Sequence, residues 1–318
     1  MKRICVVGCG RWGKNHIRTL SEMGVLSAVV DNDVERLSRI RDEYEGVTSH
    51  SSLQEAIEAR YDGYTVAVPA QAHYEVGRAL LAEGLNVMME KPMTLTVDES
   101  EELLTLSRQY GGRLMVGHVL MFHPAIKKIK ETIESGKIGT LRYLYSHRLN
   151  LGTIRTEEDV FWSFASHDIS LLDYLTGSRV EQIHAKGSEY LTAGLSDVVM
   201  AEFEYPNNIH GHIFVSWLHP FKQQLLVVVG SEGMLTFDDA TDKEVKYYAK
   251  GVSFENGLPR TYDNGYEVIP YEQAQPLKEE LTYFVEHCDG EIAINRGEDG
   301  LAVVRVLEQV TSAIKRGK

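Results

Sequence analysis

Residues 3–13 read Arg-Ile-Cys-Val-Val-Gly-Cys-Gly-Arg-Trp-Gly, a β-branched run that stops at Gly8 and passes at once into a turn with glycines at 8, 10 and 13. So little alternation of apolar and polar residues marks a strand covered on both faces, as in the middle of a parallel sheet. Behind the turn, Trp12, Ile17, Leu20 and Met23 recur at helical spacing until Gly24 ends the run. Leu26 to Val30 is the next strand, and it closes on Asp31. Strand, glycine turn, helix, strand and acid in that order make the dinucleotide-binding form of G-x-G-x-x-G. Gly8 permits the tight turn, Gly10 lets a pyrophosphate approach the backbone, and Gly13 lets helix pack on strand, with the helix N-terminus facing the anion. Asp31 is placed to accept hydrogen bonds from ribose hydroxyls. A carboxylate there repels a 2′-phosphate and no Arg follows directly, so NAD is expected rather than NADP. Arg11 and Trp12 in the turn, and Asn32 beside Asp31, complete the expected contacts. Cys9 fills an x position and reads as a small turn residue rather than a redox group.

Outward from this start, strand and helix keep alternating. Asn32 with Glu35, Ser52 with Glu55, and Thr96 with Glu99 are capping-box spacings that each open a helix. Strands are predicted at Tyr64 to Val68, Asn86 to Met89 and Arg113 to Val116, which makes residues 1–118 a doubly wound parallel sheet of the Rossmann kind. After Gly117 the pattern changes. Pro124 to Glu134 is helical, Leu141 to Leu149 extended and His167 to Leu175 helical again. Val199, Ala201, Phe203 and Tyr205 then share one strand face while Glu202 and Glu204 share the other, and Pro206-Asn207-Asn208 turns into a partner strand ending near Trp217. With Leu225 to Val229 and Met234 to Phe237 this makes residues 119–318 an α+β domain on a large, mostly antiparallel open sheet. One face of that sheet needs helices or a second subunit over it, so a homo-oligomer, dimer or tetramer, is expected. The last helix, about 299–315, is expected to pack back toward the first domain.

Composition narrows the function classes. The 318 residues are 43% hydrophobic, enough for two domains of ordinary size, and carry a formal net charge of -13. No Lys/Arg block stands clear of acidic neighbours, so a nucleic-acid backbone would be repelled. Cys5, Cys9 and Cys288 have neither metal spacing nor a disulfide framework, which fits a reducing, cytoplasmic setting. The apolar run after Met1 is too short for a signal peptide, and nothing approaches the about 20 apolar residues of a membrane helix. His210, His212 and His219 lie close in sequence, but no Cys or acid completes a tetrahedral set, so no metal is expected.

Two further segments fall where parallel strands end at a bound dinucleotide: Val66-Ala67-Val68-Pro69 with His73, and Glu90-Lys91-Pro92. Lys91 follows an apolar strand, which aims its ammonium into the crevice. These segments, with the glycine turn, Val116-Gly117-His118 with Phe122 and Pro124, Gly230-Ser231-Glu232-Gly233 and Gly297-Glu298-Asp299-Gly300, resemble the glucose-fructose oxidoreductase and inositol dehydrogenase (Gfo/Idh/MocA) family over nearly the whole chain. The resemblance implies that Val68, Pro69, His73, Glu90, Lys91 and His118 contact NAD. It also implies that Lys91, in the Glu-Lys-Pro signature, is catalytic.

Within that family, Ser146 to Gly152 and Phe161 to Ser170 resemble the sugar-nucleotide 3-dehydrogenases, which oxidise C3 of UDP-N-acetylglucosamine or its uronate ahead of an aminotransferase. The family often has an Asp four residues before its catalytic His; here that position is Ser163, which leaves Lys91 and His167 as the working pair. Oxidising a secondary alcohol requires loss of the hydroxyl proton as hydride leaves, and a His of near-neutral pKa suits that role. His167 is the expected base, with Lys91 stabilising the developing alkoxide; which of the two takes the proton stays open. Arg148, Arg155 and Lys186 are candidates for the substrate's phosphates or carboxylate, Asn150 for its N-acetyl or hydroxyl groups, Trp162 for ring stacking and Ser163 for a substrate hydroxyl. Asp168 is expected to serve as a charge partner at a helix start. Two other readings stand beside this one: a dehydrogenase of a free sugar or inositol, and a dinucleotide-binding protein without catalysis.

Overall fold

The computed structural model describes residues 2–317. The chain forms two compact units, one of residues up to Phe122 with Ala274–Arg305, the other of His123–Gln273 with residues from Val306 on. The segment 274–305, which the sequence reading gave to the second domain, is thus built into the first.

The first unit alternates β1 (Ile4–Val7), α1 (Gly13–Glu22), β2 (Leu26–Val30), α2 (Val34–Glu43), β3 (Thr48–His50), α3 (Leu53–Ala59), β4 (Gly63–Val66), α4 (His73–Ala82), β5 (Val87–Glu90), α5 (Val97–Tyr110) and β6 (Leu114–Gly117). The strands pair in parallel in the order β3-β2-β1-β4-β5-β6. Every residue of β1, β4, β5 and β6 is buried, as mostly apolar runs covered on both faces require, and β5 carries this burial to Glu90 at its end. The chain order reverses between β1 and β4, and a doubly wound sheet opens its ligand crevice at that point, outside the carboxyl ends of the strands.

Helix starts follow their caps. Ser52 and Thr96 accept from the backbone of Glu55 and Glu99, and the two glutamates accept in return from the N–H one residue earlier, of Ser51 and Leu95. At α2 the cap is Asp33, one residue beyond the expected Asn32, and its carboxylate accepts from Glu35 and Arg36 N–H. An acid one position closer to the helix takes both orphan donors and leaves Asn32 exposed.

The second unit holds α6 (Pro124–Glu134), β7 (Leu141–Leu149), α7 (Val160–Phe164), α8 (Ser166–Thr176), β8 (Gln182–Ser188), β9 (Val198–Tyr205), β10 (Ile209–Ser216), β11 (Gln223–Gly230), β12 (Met234–Asp238), β13 (Val245–Glu255) and β14 (Leu258–Ile269). Its sheet runs β14-β13-β12-β11-β7-β10-β9-β8, parallel only where β10 meets β7. Val199, Ala201, Phe203 and Tyr205 are buried as their alternation predicts. Asn207 and Asn208 make the turn after them at φ 64 and 58, a conformation Asn tolerates better than other side chains. The opposite face of the sheet carries Tyr143, Tyr145 and His147 on β7 beside His212 and Phe214 on β10, with Met200 49% exposed.

Two helices complete the chain. α9 (Pro276–His287) belongs to the first unit and buries Leu281, Phe284 and Val285. α10 (Gly297–Arg316) begins against β6, where a Cβ on Gly297 would press on Leu104 and Leu114 and one on Gly300 on Val116. Its last turns belong to the second unit, where Ile314 lies beside Gly187 of β8. No helix among the described residues is long and apolar enough to cross a membrane.

Candidate active site

The glycine turn has the geometry its sequence demands. Gly8 sits at φ +97, and a Cβ there would stand 2.8 Å from the Ala67 carbonyl oxygen at the end of β4. A Cβ on Gly13 would lie 1.8 Å from the Gly8 oxygen, which no side chain allows, so helix and turn approach only because this residue is glycine. At Gly10 a Cβ would meet nothing within 4 Å: the room is open. α1 also starts without a side-chain cap and without an acid in its first turn, whereas Asp33, Ser52 and Thr96 cap α2, α3 and α5. Open space before uncapped helix N–H groups suits a pyrophosphate.

Asp31 lies at the end of β2, buried, its Oδ2 accepting from Cys9 N at 2.7 Å and its Oδ1 from Asp33 N at 2.9 Å. The carboxylate is thereby fixed against the glycine turn, with further lone pairs for ribose hydroxyls. Arg36, a neighbour the sequence reading passed over, reaches within 3.6 Å of Asp31 and 3.1 Å of Asp33. An arginine balanced by two carboxylates offers little to a 2′-phosphate, so these residues fit NAD. Cys9 is buried, and burial followed by the Asp31 charge pushes its thiol up to about 12, so no thiolate forms at neutral pH.

Lys91 follows β5 and is half-buried, and the Lys91-Pro92 peptide is cis. Before it, Glu90 turns inward. Its Oε1 accepts from His16 Nε2 at 2.9 Å and from the Trp12 indole, and its Oε2 from Lys91 N at 3.2 Å. Burial alone would raise the Glu90 carboxyl, but the His16 bond and charge, with Trp12 and Lys91, hold it below the usual carboxylate range.

Among the other expected cofactor contacts, Val68 is half-buried and Pro69 exposed just beyond β4, and Arg11 and Trp12 are exposed on the turn. His73 lies deeper than these. It is 1% exposed, with Nδ1 2.7 Å from the Pro92 carbonyl and Nε2 3.0 Å from that of Val68, so it lies between the end of β4 and the Glu-Lys-Pro loop. Burial pulls its pKa below the usual imidazole range, against the opposing pull of the two carbonyls. His118 is equally buried, its carbonyl accepting from Asn295 at 3.1 Å, so its ring lies beneath the surface.

In the second unit, His167 is half-buried in the first turn of α8. Asp168 next to it is 0% exposed and holds Arg148 through two bonds, from Nε at 2.8 Å and Nη2 at 3.0 Å, while Ser146 donates to the same carboxylate at 2.6 Å. Arg148, expected to meet substrate, spends these donors on anchoring α8 to β7. Trp162 is held by its indole N–H on Thr311 at 2.9 Å, and Ser163 is buried. Arg155 is exposed and paired with Glu158 at 3.2 Å, Lys186 is exposed on β8, and Asn150 N donates to the Ser216 carbonyl beyond β7. The residues the sequence reading missed are partners of chosen ones: His16 and Glu280 are buried, and Arg36 is an exposed neighbour of Asp31. Of these, only His16 had a signal, its place one helical turn after Trp12.

Residues 2–118 match the oxidoreductase family with an NAD-binding Rossmann fold (GFO/IDH/MocA), and residues 126–236 match the GFO/IDH/MocA C-terminal domain. UDP-N-acetylglucosamine 3-dehydrogenase of Acidithiobacillus ferrooxidans is 27% identical over 294 residues, 91% of each chain. Its crystal structure superposes with a TM-score of 0.87 at 22% identity, covering 99% of this chain and 98% of that one. Myo-inositol dehydrogenase Hyg17 of Streptomyces leeuwenhoekii is 28% identical over 61% of this chain and 62% of its own. This chain spans about six tenths of the length of several such curated relatives. The WlbA dehydrogenase of Bordetella pertussis, solved with NADH and UDP-GlcNAcA, superposes with a TM-score of 0.81 at 20% identity over 100% of this chain and 97% of that one, a likeness of fold alone. Glycine turn, Asp31, Glu-Lys-Pro loop and both domain matches lead to one conclusion: the chain belongs to the GFO/IDH/MocA family of NAD-binding oxidoreductases.

Proposed function

We propose that this protein is an NAD-dependent dehydrogenase that oxidises the C3 hydroxyl of a UDP-linked N-acetylated amino sugar, UDP-N-acetylglucosamine or its uronate, to the 3-keto sugar in surface-polysaccharide or glycan-precursor synthesis. The observation that carries it is Lys91 at the carboxyl end of β5, in the sheet order β1-β4-β5 on the side of the crevice away from Asp31. Asp31 at one end and an ammonium at the other suit a nucleotide whose reactive half lies toward Lys91. Support for the substrate comes from the relative of that specificity, which matches over nearly the whole chain.

When bound, NAD supplies a two-electron acceptor for the hydrogen on the alcohol carbon. His167 is the base that takes the hydroxyl proton, and Lys91 donates to the same oxygen and stabilises its developing negative charge. Asp168, locked by Arg148 and Ser146, fixes the first turn of α8 and with it the backbone that carries His167. Arg155, Lys186 and Asn150 are the groups proposed for the substrate's phosphates and N-acetyl substituent; Trp162 and Ser163 line that region.

A second reading, oxidation of inositol or a free sugar, is favoured by the similar identity to myo-inositol dehydrogenase Hyg17. A binding protein without catalysis would have no use for Lys91 and His167. The test is to supply NAD with UDP-N-acetylglucosamine, its uronate or myo-inositol, each with and without 2-oxoglutarate to reoxidise retained cofactor, and follow reduced nicotinamide and 2-hydroxyglutarate. Turnover of a sugar nucleotide is expected. Turnover of the cyclitol alone refutes the proposal.

The oligomer is proposed on the open sheet face. Tyr145 stacks on His212 at 4.6 Å and Tyr143 lies alongside, an aromatic surface that a second copy of the chain would cover. The buried thiols fit a reducing, cytoplasmic setting.

A further inference from the structure

Glu90 is the side chain through which the glycine turn and Lys91 are mechanically joined. It ends β5, its side chain is 10% exposed, and each of its oxygens is committed. One takes the Trp12 indole N–H and His16 Nε2, the other the backbone N–H of Lys91. Trp12 lies inside the G-x-G-x-x-G turn and His16 one helical turn later on α1, with the two rings edge to face at 6.3 Å. Space for the carboxylate exists because β6 offers glycine beneath it: a Cβ on Gly117 would stand 3.1 Å from Glu90 Oε1. Behind it lies the buried Glu280 of α9, whose own carboxyl is disfavoured as an anion by burial and by the charge of Glu90.

The consequence is mechanical. A carboxylate only accepts, so both ring donors are held to one oxygen, and moving the turn moves the groups that fix the Lys91 backbone. Charge-assisted bonds of this kind contribute roughly twice a neutral one, and inside the protein their geometry is stiff. We propose that Glu90 is a positioning residue that couples occupancy of the glycine turn to the placement of the Lys91 ammonium. This rests on the reading of Lys91 as the alkoxide-stabilising group. Glu90 itself contacts neither cofactor nor substrate in this scheme, which departs from the expectation that it binds the dinucleotide directly.

The test separates coupling from turnover. Lys91 is labelled with pyridoxal 5′-phosphate and borohydride, with and without saturating NADH, and the labelled peptide is quantified by mass spectrometry in wild type, Glu90→Gln and Trp12→Phe. NADH is expected to change the labelling rate of wild type by about threefold or more, and each variant to lose most of that response at NADH concentrations that titration shows to saturate that variant. In turnover, the variants are expected to lose kcat, by about tenfold or more for Glu90→Gln, with the KM for NAD nearly unchanged. An NADH response equal to that of wild type in both variants, or none in wild type, overturns the coupling. If Glu90→Gln does not fold, Trp12→Phe, at a 41% exposed position, decides alone. Intact coupling with no turnover of any sugar nucleotide supports this inference and refutes the substrate reading.

Discussion

Three side chains carry the proposed chemistry, and each can be removed singly. Lys91→Ala and His167→Asn are each expected to lower kcat by of order 10²-fold or more while leaving NAD affinity within a few-fold, because the glycine turn and Asp31 supply most of the grip on the dinucleotide; steady-state rates and NADH titration read the two quantities. Asp31→Ala should weaken NAD binding by about tenfold or more, the loss expected for charge-assisted bonds to ribose hydroxyls, and unchanged affinity in calorimetry would remove Asp31 from the site. Its two backbone bonds to Cys9 and Asp33 go with it, so some stability is lost as well. The positions of the glycine turn, Asp31 and Lys91 were legible in the sequence because motif and position coincide: glycine at a forced φ, an acid at a strand end, a lysine after an apolar strand; His167 had only the family resemblance to mark it. The interior partners of Arg148 and His73 were not legible, for one shared reason. A polar side chain near a strand end looks the same in sequence whether it faces a ligand or a buried partner, and the partners here, Asp168 and the Pro92 and Val68 carbonyls, are 20, 19 and 5 residues away.

At the scale of elements, the first turn of α8 depends on an ion pair whose carboxylate is buried and whose guanidinium is half-buried. Asp168 is 0% exposed, so Asp168→Ala leaves the Arg148 guanidinium without its counter-charge, and chemical denaturation should show a loss of about 3–5 kcal/mol. Helix α9 offers a pH signature instead. Burial, and after it the negative charge of Glu90, pushes the Glu280 carboxyl well above the ordinary range, against the pull of the Asn295 amide. The folded state therefore holds this proton more tightly than the unfolded chain does, so its contribution to stability falls as pH rises from about 4.3, the unfolded value, toward the raised folded one. Glu280→Gln keeps an oxygen for Asn295 and removes the ionisation. Urea unfolding should find this variant gaining on wild type as pH rises through that window, and a pH-independent difference would refute a raised Glu280. α9 escaped the sequence reading although Pro276, Leu281, Phe284 and Val285 carry a helical pattern. It follows a long exposed hairpin, β13–β14, whose polar residues masked where the next element begins. β3 was missed because three residues, Thr48 to His50, are too few for any periodicity.

At the scale of the molecule, the parallel sheet was readable from the strand-helix alternation alone, since unbroken apolar strands and capped helices admit little else. The start of the last helix was expected near the first domain, but the return of residues 274–298 was not readable: it depends on long-range packing, such as Asn295 against His118, for which local pattern carries no signal. The open sheet makes its own prediction. Tyr143, 37% exposed beside stacked Tyr145, should lie in the interface between copies, and Tyr143→Glu should reduce the mass measured by light scattering to that of the single chain. An unchanged oligomer, or a monomeric wild type, would place the contact elsewhere or remove it. The most direct test of the proposed reaction follows one atom. UDP-N-acetylglucosamine and its uronate, each deuterated only at C3, are incubated with the enzyme and NAD, and the reduced nicotinamide is analysed by mass spectrometry. Deuterium in the reduced nicotinamide from at least one of them is the expected result; turnover that leaves the label on the sugar, or no turnover of either while myo-inositol is oxidised, would contradict C3 oxidation of a nucleotide sugar.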